Sequence, residues 1–376
     1  MPEGSLKSKT LEADTEDQLQ EILRSQRRTD GLPVILPTRE RVESMLEVAA
    51  FAGFERDIAI GQVGPNMGFA TVEKIAINAV MAGCQPDHMP VVIAAMSAIC
   101  DPRLDMTEVQ ATTHLLTPLL IVNGPAVQHC GIASGSGALG YGHTANLCIG
   151  RAVRLCLINL GGTWPGISDM SLLGQPGMIS YCLGEAEQSS PFEPLHVSFG
   201  YPAESSVVTV TCVGAPHSIM AVMDADDPNS ANRLLQLLAI TIASEGNNSA
   251  VVGTGTVVVC LTPDHARVLS EAGYNRRRIQ EELARRAHHP ARYVHELRYG
   301  PNHAVVKALK DPDEPHYAIG SPDSVLVLVA GGLGLYSYVM LPWCRGTHEN
   351  PYVSKEIVFS DMCDFGGPVE VIAAPV

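Results

Sequence analysis

The chain has 376 residues, 46% of them hydrophobic, enough for two domains or one large α/β unit with a sizeable core. Forty acidic against 25 basic side chains leave a net charge of −15, which argues against nucleic acid or an anionic membrane as partner. No apolar run is long enough to span a bilayer, and the opening MPEGSLKSKTLEADTEDQLQ is too polar for a signal peptide. Ten cysteines include no Cys-x-x-Cys pair, and Cys148, Cys156 and Cys260 sit inside apolar runs. That pattern fits reduced, buried thiols in a cytoplasmic protein.

Residues 1–30 are charged and poor in aromatics, and read as a mobile leader with a short helix at 15–27. A first α/β half is expected over 31–215 and a second over 216–376. Thr38 can cap a helix over 39–52 that stops at Gly53. A strand at 57–60 and the loop GQVGPNMG follow. A helix over 70–82 places Val72, Ile75, Ile77, Val80 and Met81 at helical spacing and stops at Gly83. The helix over 90–99 is apolar nearly all round, so it is expected to be buried.

The central stretch is 115–162. An apolar strand over 115–122 ends at the turn Asn123-Gly124-Pro125. A loop then carries Gly131, Gly135, Gly137, Gly140 and Gly142, with Ser134, Ser136 and Thr144 between them. A helix over 145–160 follows, bearing Asn146, Arg151 and Arg154. Strand, glycine-rich loop and helix can aim bare backbone N–H groups at an anion, with the helix dipole behind them. No Gly-Lys-Ser/Thr follows the glycines, so the loop is not a P-loop. Gly135, Gly137 and Gly140 satisfy G-x-G-x-x-G. The third glycine nevertheless falls short of the helix, and no acidic residue stands about twenty positions on. A nucleotide cofactor is therefore not expected.

Beyond it, a strand at 178–183 leads into Gly184-Glu185-Ala186-Glu187, and the β-branched run 206–213 alternates as a strand. The second half reads as helix 229–245, strand 256–261, a helix from Pro263 to 272 and a charged, exposed helix over 276–287. An apolar strand over 324–329 then ends at Ala330-Gly331-Gly332-Leu333-Gly334. The strand at 57–60, its two helices and LLIVNGP resemble the strand at 256–261, its two helices and LVLVAGG. The expectation is two similar α/β halves with mixed sheets, an internal duplication, and a ligand site between the halves.

The runs GPNMGFATVEKIAINAVMAGC, VQATTH, NGP, ANLCIGRAVRL, LINLGG, DMSLLGQPG and FEPLHV make the chain resemble a bacterial family found beside UGSC-motif (seleno)proteins, over roughly residues 60–340. The resemblance implies thiol or selenol chemistry carried out by a partner protein. This chain has no Cys-Gly-Ser-Cys itself. It departs from the pattern at Gly334-Leu335-Tyr336-Ser337 and at His143-Thr144, where more basic residues are expected.

Candidate chemistry comes from polar residues stranded in apolar context. Glu73 and Lys74 open a helix and read as a proton-transferring pair, or more plainly as a dipole-compensating Glu beside a surface Lys. Asn66 in the preceding loop could orient a substrate. His114 and Asn123 bracket the central strand, a pattern that suits acid–base work and oxyanion support as well as a structural His. Glu185, Glu187, Glu193 and His196 form the densest acid/His cluster, with a divalent metal on Glu185, Glu187 and His196 as one reading and a solvated acidic loop as the other. Cys130 and Cys182 are the thiols best placed for a lowered pKa. The expectation is a lyase or hydrolase of small-molecule metabolism acting on a carboxylate- or phosphate-bearing compound. The catalytic candidates are Glu73, Lys74, His114 and Glu185. The binding candidates are Asn66, Asn123, Gly135, Gly137, Gly140, Thr144, Asn146, Arg151 and Arg154. A thiol-redox component with a Cys/Sec partner and a non-catalytic ligand-binding subunit remain as alternatives, and a homo-oligomer stays open.

Overall fold

A computed structural model describes residues 6–224, 226–252, 254–342 and 349–359. Positions 1–5 of the expected leader, and 225, 253, 343–348 and 360–376 of the expected second half, lie outside the described residues.

Local signals set the first elements. Thr15 caps α1 (Glu16–Ser25) by accepting from Gln18 N, and Thr38 caps α2 (Arg39–Phe51) by accepting from Arg41 N. An antiparallel hairpin, β1 (Ala59–Val63) and β2 (Gly68–Thr71), leads into α3 (Val72–Ala82). Thr71 caps α3, and Gly83 stops it in the left-handed conformation at φ +92°. Then come the buried α4 (Met89–Ile99), the short α5 (Met106–Ala111), and β3 (Thr117–Asn123), which is buried on both faces. The first half continues with α6 (Ala126–His129), α7 (Thr144–Asn159), β4 (Cys182–Gly184), α8 (Leu195–Ser198) and β5 (Val207–Val213).

The chain then enters β6 (Pro216–Met220), α9 (Ser230–Ile242), α10 (Ser249–Val252), β7 (Val257–Leu261), α11 (Pro263–Glu271) and α12 (Arg276–Arg286). A small outlying pair, β8 (His288–Pro290) and β9 (Pro315–Tyr317), flanks α13 (Ala291–Tyr299) and α14 (Ala304–Lys307). Last are β10 (Val325–Val329), β11 (Tyr336–Met340) and β12 (Val353–Glu356).

The protein is α/β with mixed sheets. One sheet has the order β12-β5-β3-β4 and the other β6-β11-β7-β10. In each, one pair at the edge is parallel (β3 with β4, β7 with β10) and the remaining neighbours are antiparallel. Alternation along the strands sorts the side chains into layers. Leu119 and Ile121 share one apolar cluster with Val258, Cys260, Leu326 and Leu328, so the two sheets face each other. Leu120 and Val122 point the other way, into a core shared with α2, α3, α4 and α7. Val257, Val259 and Leu261 do the same towards α9, α11 and α12. The result is helix, sheet, sheet, helix.

Three expectations change. The strand expected at 57–60 belongs to the outlying β1–β2 hairpin, so β3 and β7 hold the equivalent central places. Residues 216–376 hold all four strands of the second sheet, β6 included, but 31–215 do not complete the first, because β12 follows β11 and returns to it. Residues 6–30, expected to be mobile, are clipped to the body. Glu73 accepts from Lys7 N and from Ser8 N and Oγ, Gln20 brackets the backbone of Val34, and Asp30 takes Arg151. Charge and scarce aromatics suggested disorder, but specific polar partners far along the chain supply the order.

Candidate functional site

The C-terminal ends of β3, β4 and β10 converge. Glu185 N donates to Val122 O and Ala186 N to Val329 O, so the edge of one sheet is joined to the edge of the other. In open α/β sheets such ends are where ligands bind.

Around this seam lies a buried polar cluster. Asn123 ends β3, and its Nδ2 donates to Glu185 Oε2 at 2.6 Å and to Glu187 Oε1 at 2.8 Å. The two carboxylates are two residues apart just past β4, and one amide nitrogen holds both. Gly124 N also donates to Glu187 Oε1, and Leu195 N to Glu185 Oε2. Arg276 Nη2 donates to Glu185 Oε1 at 3.2 Å, while its Nε donates to Val327 O on β10. His196 Nδ1 lies 3.6 Å from Glu187 Oε1. The Glu185 side chain is shielded from solvent, and the Glu187 side chain is 24% exposed. Burial pushes the Glu185 carboxyl above the usual carboxylate range, against the pull of Arg276, and lowers the Arg276 guanidinium. Three buried atoms here have no hydrogen-bond partner: Asn123 Oδ1, His196 Nδ1 and Arg276 Nη1. Buried polar groups are normally satisfied, so three unpartnered atoms at one seam make it the candidate site.

The glycine-rich loop lies beside the cluster. Asn146 clamps it: Oδ1 accepts from Ala133 N, and Nδ2 donates to the carbonyls of Ala133, Ala138 and Cys182. Gly331 N donates to Ser134 O. A Cβ on Gly332 would lie 2.4 Å from Ser136 Oγ, so the close approach of the two turns requires a glycine there. Gly137 takes φ +72°, whereas Gly140 is not in the left-handed region. Gly135, Gly137, Gly140 and Thr144 are exposed, and no side chain caps the start of α7. The loop tip is thus open to solvent with the helix start behind it.

Other expected residues stand elsewhere. Arg151 is bound to Asp30 and Pro33 O, and Arg154 is bound to Met178 O, Thr117 Oγ1 and Gln110. They lie two and three turns into α7, too far along it to reach a ligand at its start. Asn66 packs on Gly162, past the far end of α7, roughly 24 Å from the loop by the rise of sixteen helical residues. His114 precedes β3 while Asn123 ends it, so a strand length separates them and they cannot serve one site. Burial lowers the His114 pKa. Glu73 is occupied by the backbone of residues 7 and 8, and Lys74 Nζ donates to Phe69 O. Neither reaches the seam.

Cys130 and Cys182 are buried, and burial pushes each thiol up to about 12, the reverse of activation. Among the described residues no three His, Cys, Asp or Glu side chains are grouped as metal ligands; Glu185, Glu187 and His196 meet through Asn123 instead.

Sequence reasoning missed Arg276, reading its helix as exposed. The signal was there: Arg276, Arg277 and Arg278 crowd a helix N-terminus, where the dipole disfavours cations, so at least one needed an anionic partner.

No protein-family model, no curated protein and no solved structure matches this chain.

Proposed function

We propose that the protein is an enzyme of small-molecule metabolism, a lyase or hydrolase acting on a carboxylate- or phosphate-bearing compound at the seam between the two sheets. The observation that carries this is the convergence of Glu185 and Glu187 on Asn123 Nδ2, amid three unpartnered buried polar atoms. Paired carboxylates in unlike surroundings divide acid and base roles. Burial raises the Glu185 pKa, which suits the acid role, and Glu187, half-buried beside His196, is the group placed to take a proton from water or substrate. Arg276 Nη1 and the open glycine loop supply the positive side for the anionic group. The buried thiols give no support to redox work by this chain.

The two sheets share one strand arrangement, and β6 after β5 and β12 after β11 each join the other sheet, which supports a duplicated unit running from β3 to β6 and from β7 to β12. On that reading the site lies on the junction of the two copies.

The test is a thermal-shift panel of small carboxylates and phosphate monoesters, followed by NMR of hits for turnover. Glu187→Gln should keep the fold and lower turnover on the order of 10²-fold. A Glu187→Gln protein with full turnover of the same hit would remove the seam from the chemistry.

A further inference from the structure

A pocket lies at the other end of α7. Residues 6–11, α1, α2 and α3 line an open pocket of about 740 Å³, with Leu11, Leu23, Leu36, Val42, Ile77 and Met81 among its apolar walls. That is far larger than a packing defect and falls within the range of pockets that hold small organic ligands. Its charged lining residues are Lys9, Arg28, Arg39 and Lys74, and among the described residues no Asp or Glu lines it. On a chain with 40 acidic and 25 basic residues, four cations and no anion among the described residues around an apolar space is a pronounced asymmetry. Lys9 and Arg28 have no carboxylate partner among the described residues, and Arg39 only reaches Glu43 at 4.0 Å. Glu73, next to Lys74 in sequence, engages its carboxylate with the backbone of Lys7 and Ser8, which pins residues 6–11 as one wall. Asn159 also lines the space, and its Oδ1 is buried without a partner while Nδ2 donates to Asn78 Oδ1 and Arg28 O.

We propose that this cavity binds an amphipathic anion: an apolar chain or ring system ending in one carboxylate or similar acid group. The apolar body lies against Leu23, Val42, Ile77 and Met81. The acid group sits at the cationic side, near Arg28 and Lys74. The site is independent of the seam.

The probe is sodium decanoate, titrated calorimetrically below its micelle concentration, with 1-decanol as the neutral control. One decanoate should bind per chain, and the alcohol about tenfold or more weakly. Ile77→Trp fills the cavity and should abolish binding of both. The double variant Arg28→Glu/Lys74→Glu should weaken decanoate about tenfold while leaving the alcohol unchanged. A decanoate carrying a photoreactive diazirine, mapped by peptide mass spectrometry on the unmodified protein, should label residues 6–11 and 74–81. This readout needs no variant to fold. Absence of decanoate binding, equal binding of acid and alcohol, undiminished binding by a folded Ile77→Trp protein, or labelling elsewhere would each overturn the proposal.

Discussion

Arg276 and Glu185 stand 91 positions apart in the chain, yet Nη2 of the one donates to Oε1 of the other at 3.2 Å, and both side chains are shielded from water. The pair ties α12 of the second helical layer to the end of β4 in the first sheet. Removing one partner of such a pair strands a buried charge. Arg276→Met should therefore cost about 3–5 kcal/mol at neutral pH, measured by denaturant unfolding. Adding Glu185→Gln should recover part of that loss. A single variant within 1 kcal/mol of wild type would mean that water already screens the carboxylate.

The same carboxyl gives stability a pH dependence with a definite sign. Folding raises the Glu185 pKa, so the folded state holds its proton more tightly than the unfolded state. The contribution is most favourable below the unfolded value, about 4.3, and falls as pH rises from there through the raised folded value. Thermal midpoints of wild type should lose ground to Glu185→Gln across that interval. Parallel curves would place no titration at Glu185.

Thiol reactivity separates the redox reading from the others. A thiol pushed up to about 12 is almost wholly protonated near pH 8, and Cys130 and Cys182 are buried as well. In the native protein, iodoacetamide labelling mapped by peptide should leave both largely unmodified over a time that saturates a small free thiol. Rapid labelling of either would restore the thiol-redox hypothesis.

Much of the fold was legible because its signals are local. Thr38 and Gly83 mark helix ends through their own side chains or lack of one. The β-branched run at β5 and the apolar runs at β3, β7 and β10 announce strands, which the structure buries on both faces. The exchanged strands were not legible. β6 is mostly exposed and β12 is four residues long, so neither has an apolar run to give it away. At the site, the spacing of Glu185 and Glu187 and the position of Asn123 at a strand end could be read directly. Partners could not: Arg151 finds Asp30 across 121 positions, and no local pattern encodes that choice. Arg151 and Arg154 were placed in the right helix and assigned to the wrong end of it.

Glu73 offers the sharpest contrast between a residue type and its use. It opens a helix after a glycine-containing loop, a setting that suits a general base. Its carboxylate instead accepts three backbone contacts from Lys7 and Ser8 and one from the Ser8 hydroxyl. Glu73→Gln keeps the shape but turns one acceptor into an NH₂ facing the same donors. Hydrogen bonds to a charged group contribute about 1.5–3 kcal/mol. Losing that much locally should speed amide exchange over residues 6–11 by roughly 10- to 100-fold, with exchange in β3 and β7 unchanged. Turnover of any substrate processed at the Glu185–Glu187 seam should be unaffected. Hydrogen–deuterium exchange read alongside activity decides the matter. Unchanged exchange in residues 6–11 together with a collapse of turnover would return Glu73 to the role of base.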